Sequence, residues 1–388
     1  MTRTTVVIPN YKGINYIEDC LNSVYKSSIP LEVIVVDNAS ADGSLELVRE
    51  RFPKTRIISF EENRGFSEAV NAGIREAQTE YVLLLNNDTV VDAKMAEHLE
   101  NELERWPEAF SAVAKMVSLK EQEKLDGAGD FYCALGWAFA RGKGKPADLW
   151  SKPDRVFSSC AACALYRKSI FSEIGYFDVN HFAYLEDVDI GYRANICGYP
   201  NRYVPQALVY HAGSAASGSR HNEFKVKLSA ANSIYLVYKN MPLLQMIINL
   251  PFLLAGYLCK FVFFSKKGLG DAYRKGIVEG IKLSFSETGK NAKVPFKWRY
   301  FKNYLWIQGQ LWVNLFPERK TDVADSEPGD FVQLASITGD MTMDKLVYYP
   351  NEGEWRGDFP QGTGKNIVIT FRFRIGGLIY TRTLYLLS

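Results

Sequence analysis

Apolar and polar positions alternate in two rhythms along the first 120 residues. TTVVIP (4–9) is a β-branched, apolar run and predicts a strand. NYIEDCLNSVYKS then places Ile17, Leu21, Val24 and Tyr25 at helical spacing. LEVIVVD (31–37) is a continuous apolar run, as in a strand buried on both faces. SLELVRERF predicts a helix, RIISF a short strand and FSEAVNAGIREAQ a helix. YVLLLN, AKMAEHLENELERW and FSAVAKMVS continue the alternation as strand, helix and strand. This order predicts an α/β fold, a mostly parallel sheet with flanking helices, with its ligand at the carboxyl ends of the strands.

The strand ends carry the chemistry. YVLLLNNDTVV runs five apolar residues straight into Asn86, Asn87 and Asp88. Asp37 and Asn38 hold the same place one strand earlier, and Pro9, Asn10 and Tyr11 do so after the first strand. Asp and Asn are also common turn and helix-cap residues. At three strand ends in succession, a shared crevice is the better reading. A dinucleotide fingerprint is missing, because NYKGINY follows the first strand with a single glycine. GxxxxGK[ST] is also missing.

A second constellation occupies residues 158–213. SSCAACALYRKS reads as a strand and SIFSEIGYFD as a short helix and turn. In HFAYLEDVDIGYRANICGYP, Glu186, Asp187 and Asp189 open an amphipathic helix. Acids in a first helical turn suit the macrodipole. Crowded in apolar surroundings, they also suit general-base work at a raised pKa. The strand YVPQALVYHAG ends in His211, a residue that alone would more often be structural.

Composition narrows this little. The 388 residues are 47% apolar and 23% charged, enough for one large domain or two to three modest ones. A net charge of +2 does not suggest a nucleic-acid binder. Six scattered cysteines fit reduced thiols in a cytosolic setting. The lone CxxC, Cys160 to Cys163, lies in an apolar run and is weak evidence for zinc. TRTTVVIPNY at the start lacks a secretory-leader pattern.

VVIPNYKG, VIVVDNASADGS, NRGFSEAVNAGI, LLLNNDT, ALYRKSIFSEIGYFD and YLEDVDIGYR follow one another in an order that resembles the family-2 inverting glycosyltransferases of GT-A fold. Within that family the chain is most similar to the bacterial rhamnosyltransferase-like branch of surface-polysaccharide synthesis. The resemblance covers roughly residues 4–215. It implies that Asp37 lies at the nucleotide base with Pro9, Asn10, Tyr11 and Asn38. It implies that Asn63, Arg64, Gly65 and Asn71 lie near the nucleotide, as do Asn86 and Asn87. It makes Asp88 the ligand of a divalent metal (Mg²⁺ or Mn²⁺), with His211 close to that metal or the diphosphate, and Asp187 the acceptor-activating base beside Glu186. The donor would be a dTDP- or UDP-sugar and the acceptor a saccharide or lipid-linked saccharide. Two departures stand out. Asn86-Asn87-Asp88 holds one acid where the family often has two, and Ala161 replaces a glycine where the donor sugar should lie. Two rivals remain open at this point, a nucleotidyltransferase and a non-catalytic polysaccharide-assembly partner.

Beyond residue 215, SAASGSRHNEF predicts either a mobile loop over the site or an ordinary connection. MPLLQMIINLPFLLAGYLCKFVFF (241–264) is the greasiest segment, and its prolines and polar residues suggest an interfacial or re-entrant helical hairpin. Residues 260–303 hold eleven Lys/Arg against three Asp/Glu, net +8, among aromatics. That predicts contact with an anionic membrane surface, peripheral on the inner face of the cell membrane, ahead of a packing or dimer contact. TDVADSEPGD reads as an acidic linker, and the tail as two alternating strands around Gly376-Gly377, a β-hairpin that either adds to the core or mediates oligomerisation. The expected organisation is a catalytic domain at 1–215 (nucleotide-sugar half 1–120, acceptor half 121–215), a helical membrane-associating region at 216–320 and a linker with a β-rich tail at 321–388.

Overall fold

The computed structural model describes residues 2–213 and 222–315, and the backbone of five strands between Val332 and Leu386. Residues 1–315 form one compact unit and residues 316–388 a second.

The first rhythm builds the sheet as expected. Strands β1 (Thr4–Asn10), β2 (Leu31–Asp37), β3 (Arg56–Ser59) and β4 (Tyr81–Leu85) pair in parallel in the order β4-β1-β2-β3. Their connections are helices α1 (Ile17–Val24), α2 (Ser44–Arg51) and α3 (Gly65–Glu76). Val6, Val7, Ile8, Ile34, Val35 and the whole of β4 are buried, as continuous apolar runs in a two-faced sheet require. The parallel register sets Asn10 beside Asp37.

Past β4 the sheet becomes mixed. β5 (Thr89–Val91), α4 (Met95–Arg105) and β6 (Ser111–Ser118) follow, then the short strands β7 (Leu125–Gly127), β8 (Asp130–Tyr132), β9 (Ala138–Ala140) and β10 (Asp154–Val156). β11 (Cys163–Arg167) inserts antiparallel between β4 and β6. It is shorter than the run SSCAACALYRKS suggested, because Cys160–Ala162 turn before the strand and the Ala162 carbonyl accepts from the Asn86 amide at 2.9 Å. After α5 (Phe171–Ile174) and α6 (Glu186–Cys197), β12 (Asn201–His211) pairs parallel with β6 and antiparallel with β5. This register brings His211 beside Thr89, one residue from Asp88.

Helices α7 (Glu223–Asn240), α8 (Leu243–Lys266), α9 (Gly270–Phe285), α10 (Glu287–Ala292) and α11 (Phe301–Val313) complete the first unit. Leu236 of α7, Leu253 of α8 and Ile307 and Leu311 of α11 share a core with Val188, Tyr192 and Ile196 of α6. The hairpin expected at 241–264 does not form. Those residues belong to one 24-residue helix with Pro242 at its N-cap, where no helical N–H is needed, and Pro251 inside. α8 is long and apolar enough to cross a membrane, with a mean hydropathy of 1.8, and little of that stretch is buried.

In the second unit, β13 (Val332–Thr338), β14 (Val347–Tyr349), β15 (Glu354–Arg356), β16 (Ile367–Ile375) and β17 (Leu378–Leu386) form an antiparallel sheet in the order β15-β14-β13-β16-β17. The β16–β17 pair is the expected hairpin, part of a larger sheet. Its Gly376-Gly377 turn and the linker 321–330 lie outside the described residues, as do residues 214–221 of the expected site loop.

Candidate active site

One cavity of about 1200 Å³ opens at the strand ends. Pro9, Asn10, Tyr11 and Asn38 line it from β1 and β2, and Asn86, Asn87 and Asp88 from the end of β4. Asn63 and Gly65 come from the start of α3, Glu186 and Asp187 from the start of α6, and His211 from the end of β12. Asp37, Arg64 and Asn71 stand off this wall. Asp37 is buried, accepting from Asn10 Nδ2 at 2.9 Å and from Ser40 Oγ at 2.5 Å. Asn71 spans to the Phe177 backbone, donating to its carbonyl at 2.7 Å and accepting from its amide at 3.0 Å. Arg64 is exposed over the Phe60 ring.

The nucleotide side is built by amides holding amides. Asn10 Oδ1 accepts from Asn87 Nδ2 at 2.8 Å, which joins the ends of β1 and β4. Gly13 makes this pair fit, since a Cβ there would lie 2.1 Å from Asn10 Oδ1. Asn38 clamps the next turn, accepting from the Arg64 amide at 2.8 Å and donating to the Gly65 carbonyl at 3.1 Å. Gly65 has φ +84, a left-handed conformation suited to glycine. The Phe66 amide then donates to the Phe182 carbonyl at 2.6 Å, so this turn touches the loop before Glu186.

At the end of β4 a charged chain forms. Asp88 Oδ1 lies 3.2 Å from His211 Nε2, and His211 Nδ1 donates to Asp126 Oδ2 at 2.7 Å. Lys143 donates to the other Asp126 oxygen at 2.6 Å. Burial pushes the Asp126 carboxyl up, yet His211 and Lys143 bring it down to about 2. Burial pulls the His211 imidazolium down, but Asp126 and Asp88 outweigh it and raise its pKa to about 9. With Nδ1–H committed to Asp126, Nε2 faces Asp88 without a well-aimed hydrogen bond. Once the Nε2 proton is released, a carboxylate oxygen and an oriented imidazole nitrogen at this spacing fit one divalent cation, with Asp126 fixing the ring from behind. Carboxylate suits both Mg²⁺ and Mn²⁺, and imidazole favours the softer ion.

The three acids of α6 have different fates. Asp189 is fully buried and paired, with Arg193 Nε and Nη2 at 3.0 and 2.8 Å, Lys239 Nζ at 2.9 Å and Asn240 Nδ2 at 2.8 Å. Arg193 and Lys239 overcome its desolvation and hold it well below the usual carboxylate range. Glu186 is buried with Oε2 unpartnered, and burial with the neighbouring Asp187 drives its pKa well up. Asp187 faces the cavity. Burial raises its pKa, against the backbone N–H groups of Val188 and Ala161. The Asp187 carboxylate, Asp130 and Cys160 lie with their ligating atoms within 4.8 Å of one another. Asp130 is buried with Oδ2 unpartnered, and burial and Asp187 push its pKa well up. Cys160 is raised by burial and the same two acids, which disfavours a thiolate. Cys163 faces away, 3.7 Å from Met95 Sδ in the core.

The backbone leading to Asp187 is strained. Phe182, Tyr184 and Leu185 have φ of 57°, 70° and 68°. Each such non-glycine residue costs roughly 1–3 kcal/mol and persists only where surroundings hold it. Asn232 of α7 does so, with Nδ2 at 2.8 Å from the carbonyls of His181, Ala183 and Tyr184. Sequence reasoning missed Asp126, Asp130, Asn232 and Lys260, the last being a further lining residue from α8. Two acids flanking the GAG turn of LDGAGDFY were the available signal for the first pair.

Residues 5–175 match the family described as Glycosyl transferase family 2. The N-acetylglucosaminyl-diphospho-decaprenol L-rhamnosyltransferase of Mycobacterium tuberculosis is 27% identical over 216 residues, 49% of this chain and 69% of that protein. The Poly-beta-1,6-N-acetyl-D-glucosamine synthase of Staphylococcus epidermidis is 26% identical over 204 residues, 52% of this chain and 47% of that protein, so the match spans about half of the latter's length. The crystal structure of S. aureus TarS, 14% identical, shares the fold at a TM-score of 0.52 over 98% of this chain and 77% of that one. With the match spanning the strand ends Asn10, Asp37 and Asp88, residues 5–175 form a family-2 glycosyltransferase domain on the GT-A fold.

Proposed function

We propose that the protein transfers a sugar, with inversion, from a dTDP- or UDP-sugar to a saccharide or lipid-linked saccharide in bacterial surface-polysaccharide synthesis. One observation carries this reading. Asp187, with its raised pKa, shares a single cavity with the Asp88–His211 pair, itself adjacent to the asparagines of β1 and β4. Asp187 takes the proton of the acceptor hydroxyl. That oxygen forms its bond to the anomeric carbon, and the bond to the nucleoside diphosphate breaks with the electron pair leaving on phosphate oxygen. Asp88 and His211 would hold Mg²⁺ or Mn²⁺, which when bound neutralises the diphosphate's charge. Asn10, Tyr11, Asn38 and Asn63 line the nucleotide side, with Asp37 and Asn71 bracing its framework and Arg64 flanking it. Ala161 lines the cavity and trims the room for the sugar by one methyl, a difference of about 1–3 kcal/mol between competing sugars. The rhamnosyltransferase relative makes a rhamnose donor the first to test, and its name points to the lipid-linked acceptor. We place the protein peripherally on the inner face of the cell membrane, supported by the exposed apolar surface of α8.

The test is nucleoside diphosphate release and sugar transfer across a panel of dTDP- and UDP-sugars with and without Mn²⁺. Metal-dependent turnover with one donor, abolished in Asp187→Asn while nucleotide binding persists, is the expected result. Full transfer by Asp187→Asn would overturn the base assignment, and metal-dependent donor binding left intact by Asp88→Ala would overturn the metal assignment.

A further inference from the structure

Three segments far apart in the sequence meet at the wall of the catalytic cavity. LDGAGDFY supplies Asp130 at the start of β8, SSCAAC supplies Cys160 in the turn before β11, and YLED supplies Asp187 at the start of α6. Backbone bonds set this meeting. The Asp130 amide donates to the Ser158 carbonyl at 3.0 Å, and the Phe157 amide donates to the Asp130 carbonyl at 3.2 Å. Asp187 Oδ1 accepts from the Val188 amide at 2.8 Å. One ligating atom from each of Asp130, Cys160 and Asp187 lies within 4.8 Å of the other two. The CxxC is not the ligand pair, since Cys163 lies against Met95 in the core.

This cluster lacks the partner that its charge calls for. Asp130 is only 8% exposed, and its Oδ2 has no hydrogen-bond partner. Among the described residues, no lysine or arginine forms an ion pair with Asp130 or Asp187. Lys143, whose charge favours ionised Asp130, is itself bonded to Asp126. Burial pushes all three groups up, and the neighbouring acids push Asp130 and Cys160 further. A dication reverses that balance, because one cation then serves all three negative charges and a metal-bound thiol is deprotonated outright. Tetrahedral bonds of about 2.0–2.3 Å to oxygen and sulfur hold ligands roughly 3.3–3.8 Å apart, so small side-chain rotations gather this set. Cys160 and Asp187 line the cavity, which gives an ion an entry path and leaves its fourth position to water.

We propose that Asp130, Cys160 and Asp187 form a second cation site, selective for a thiophilic divalent ion of the zinc class, and that its occupation switches transfer off by taking Asp187 as a ligand. Thiolate prefers such an ion to Mg²⁺ or Mn²⁺, so this site differs in chemistry from the Asp88–His211 pair. Binding displaces the ligands' protons to solvent. The carboxylate that takes the acceptor's proton is then committed to the metal. The inhibitory half rests on the glycosyltransferase reading above and deepens it by naming a regulator of the same site. The cation site itself stands without that reading.

Cobalt(II) serves as the probe on the full chain. A cobalt–thiolate bond gives a near-ultraviolet charge-transfer band, and zinc, which has none, displaces it. Wild-type protein should show the band, excess Zn²⁺ should remove it and excess Mg²⁺ should not. Cys160→Ser should abolish it. Asp130→Asn should keep it with cobalt affinity at least about tenfold weaker, a cost that loss of even an outer partner can reach. No band in the wild type overturns the proposal. So does a band that survives in Cys160→Ser, which places the metal on another cysteine, or an unchanged affinity in Asp130→Asn. Circular dichroism checks that each variant folds, and Cys160→Ala replaces Cys160→Ser if the latter does not. For the switch, sugar transfer at saturating Mn²⁺ is titrated with Zn²⁺, each variant against its own zinc-free rate. The zinc needed for half inhibition should rise at least about tenfold in Cys160→Ser. Equal inhibition there assigns the zinc to Asp88 and His211 and overturns the switch. The cobalt band needs no turnover, so a failure of the glycosyltransferase reading, seen as no transfer from any donor, is visible separately.

Discussion

Four carboxyl groups around the start of α6 show how surroundings assign roles to one residue type. Asp189 is fully paired and held well below the usual carboxylate range, whereas Glu186 and Asp130 are each buried with one carboxyl oxygen unpartnered and are pushed well above it. Asp187 lies between these extremes, facing the cavity and raised by burial. Groups pushed apart in this way divide acid–base work. Asp187→Asn should lower kcat by about 10²–10⁴-fold with little change in nucleotide affinity, read by initial rates and a binding titration. A base acts when ionised. The rate should therefore fall as pH drops through the raised Asp187 pKa, and a kcat–pH profile should show that acid limb above the ordinary value of about 4. Asp130 yields the opposite sign for stability. Its folded pKa is raised, so the native state binds a proton that the unfolded chain has released above about pH 4, and stability falls as pH rises through that window. Asp130→Asn removes the ionisable group and should raise Tm at pH 8 more than at pH 4, by thermal melts at both. No single position in the sequence displays these differences. Asp189 and Arg193 are visible at i, i+4, but Lys239 and Asp130 join the cluster through contacts some fifty residues away along the chain.

At the scale of elements, the strand ends were legible and the loop before α6 was not. Continuous apolar runs ending in Asn or Asp give β1, β2 and β4 and their shared crevice without long-range information. The expected sheet was mostly parallel, and the antiparallel direction of β11 within it was not legible because an apolar run says nothing of strand direction. The three positive-φ residues at 182–185 were not legible either, since Phe, Tyr and Leu carry no turn signal. Their conformation comes from α7, where Asn232 gathers three carbonyls, and from α3, whose Phe66 amide donates to the Phe182 carbonyl. Asn232→Ala removes the clamp and leaves buried carbonyls unpaired, costing about 1–3 kcal/mol of stability. The larger effect should be on rate, because relaxation of this loop re-aims Asp187. We expect kcat to fall about 10–100-fold with donor KM nearly unchanged, since even small misplacement is costly to catalysis. A fall in Tm with kcat intact would make Asn232 purely structural.

Across the whole molecule, the outer helices break the usual rule for apolar side chains. Leu243, Leu244, Ile247, Leu250, Leu254 and Leu258 of α8 are each at least 49% exposed, and Trp298 beyond α10 is 77% exposed. The sequence showed this surface as a greasy segment followed by a basic, aromatic one, but its prolines were misleading about the backbone. Pro251 sits inside a continuous helix, because a proline removes one hydrogen bond and α8 keeps the rest. The surrounding stretch 260–303 carries net +8, with Lys275 and Arg274 both partnered by Asp271 and others, such as Lys266 and Lys267, free of carboxylate ion pairs among the described residues. Apolar area and positive charge together predict two separable contributions to binding an anionic bilayer, of which only the charge is screened by salt. At about 1 kcal/mol per basic residue close to the surface, a few of these residues suffice for binding at low salt. Vesicles containing phosphatidylglycerol should therefore co-sediment the protein at 50 mM salt, with partial release at 500 mM. Leu244→Asp/Ile247→Asp should weaken binding at both salt concentrations, and Lys266→Glu/Lys267→Glu chiefly at the lower one. Equal binding to neutral vesicles would remove the electrostatic part. Absence of binding to any vesicle would reassign the exposed face of α8 to contact with protein, read next as a concentration-dependent mass in light scattering.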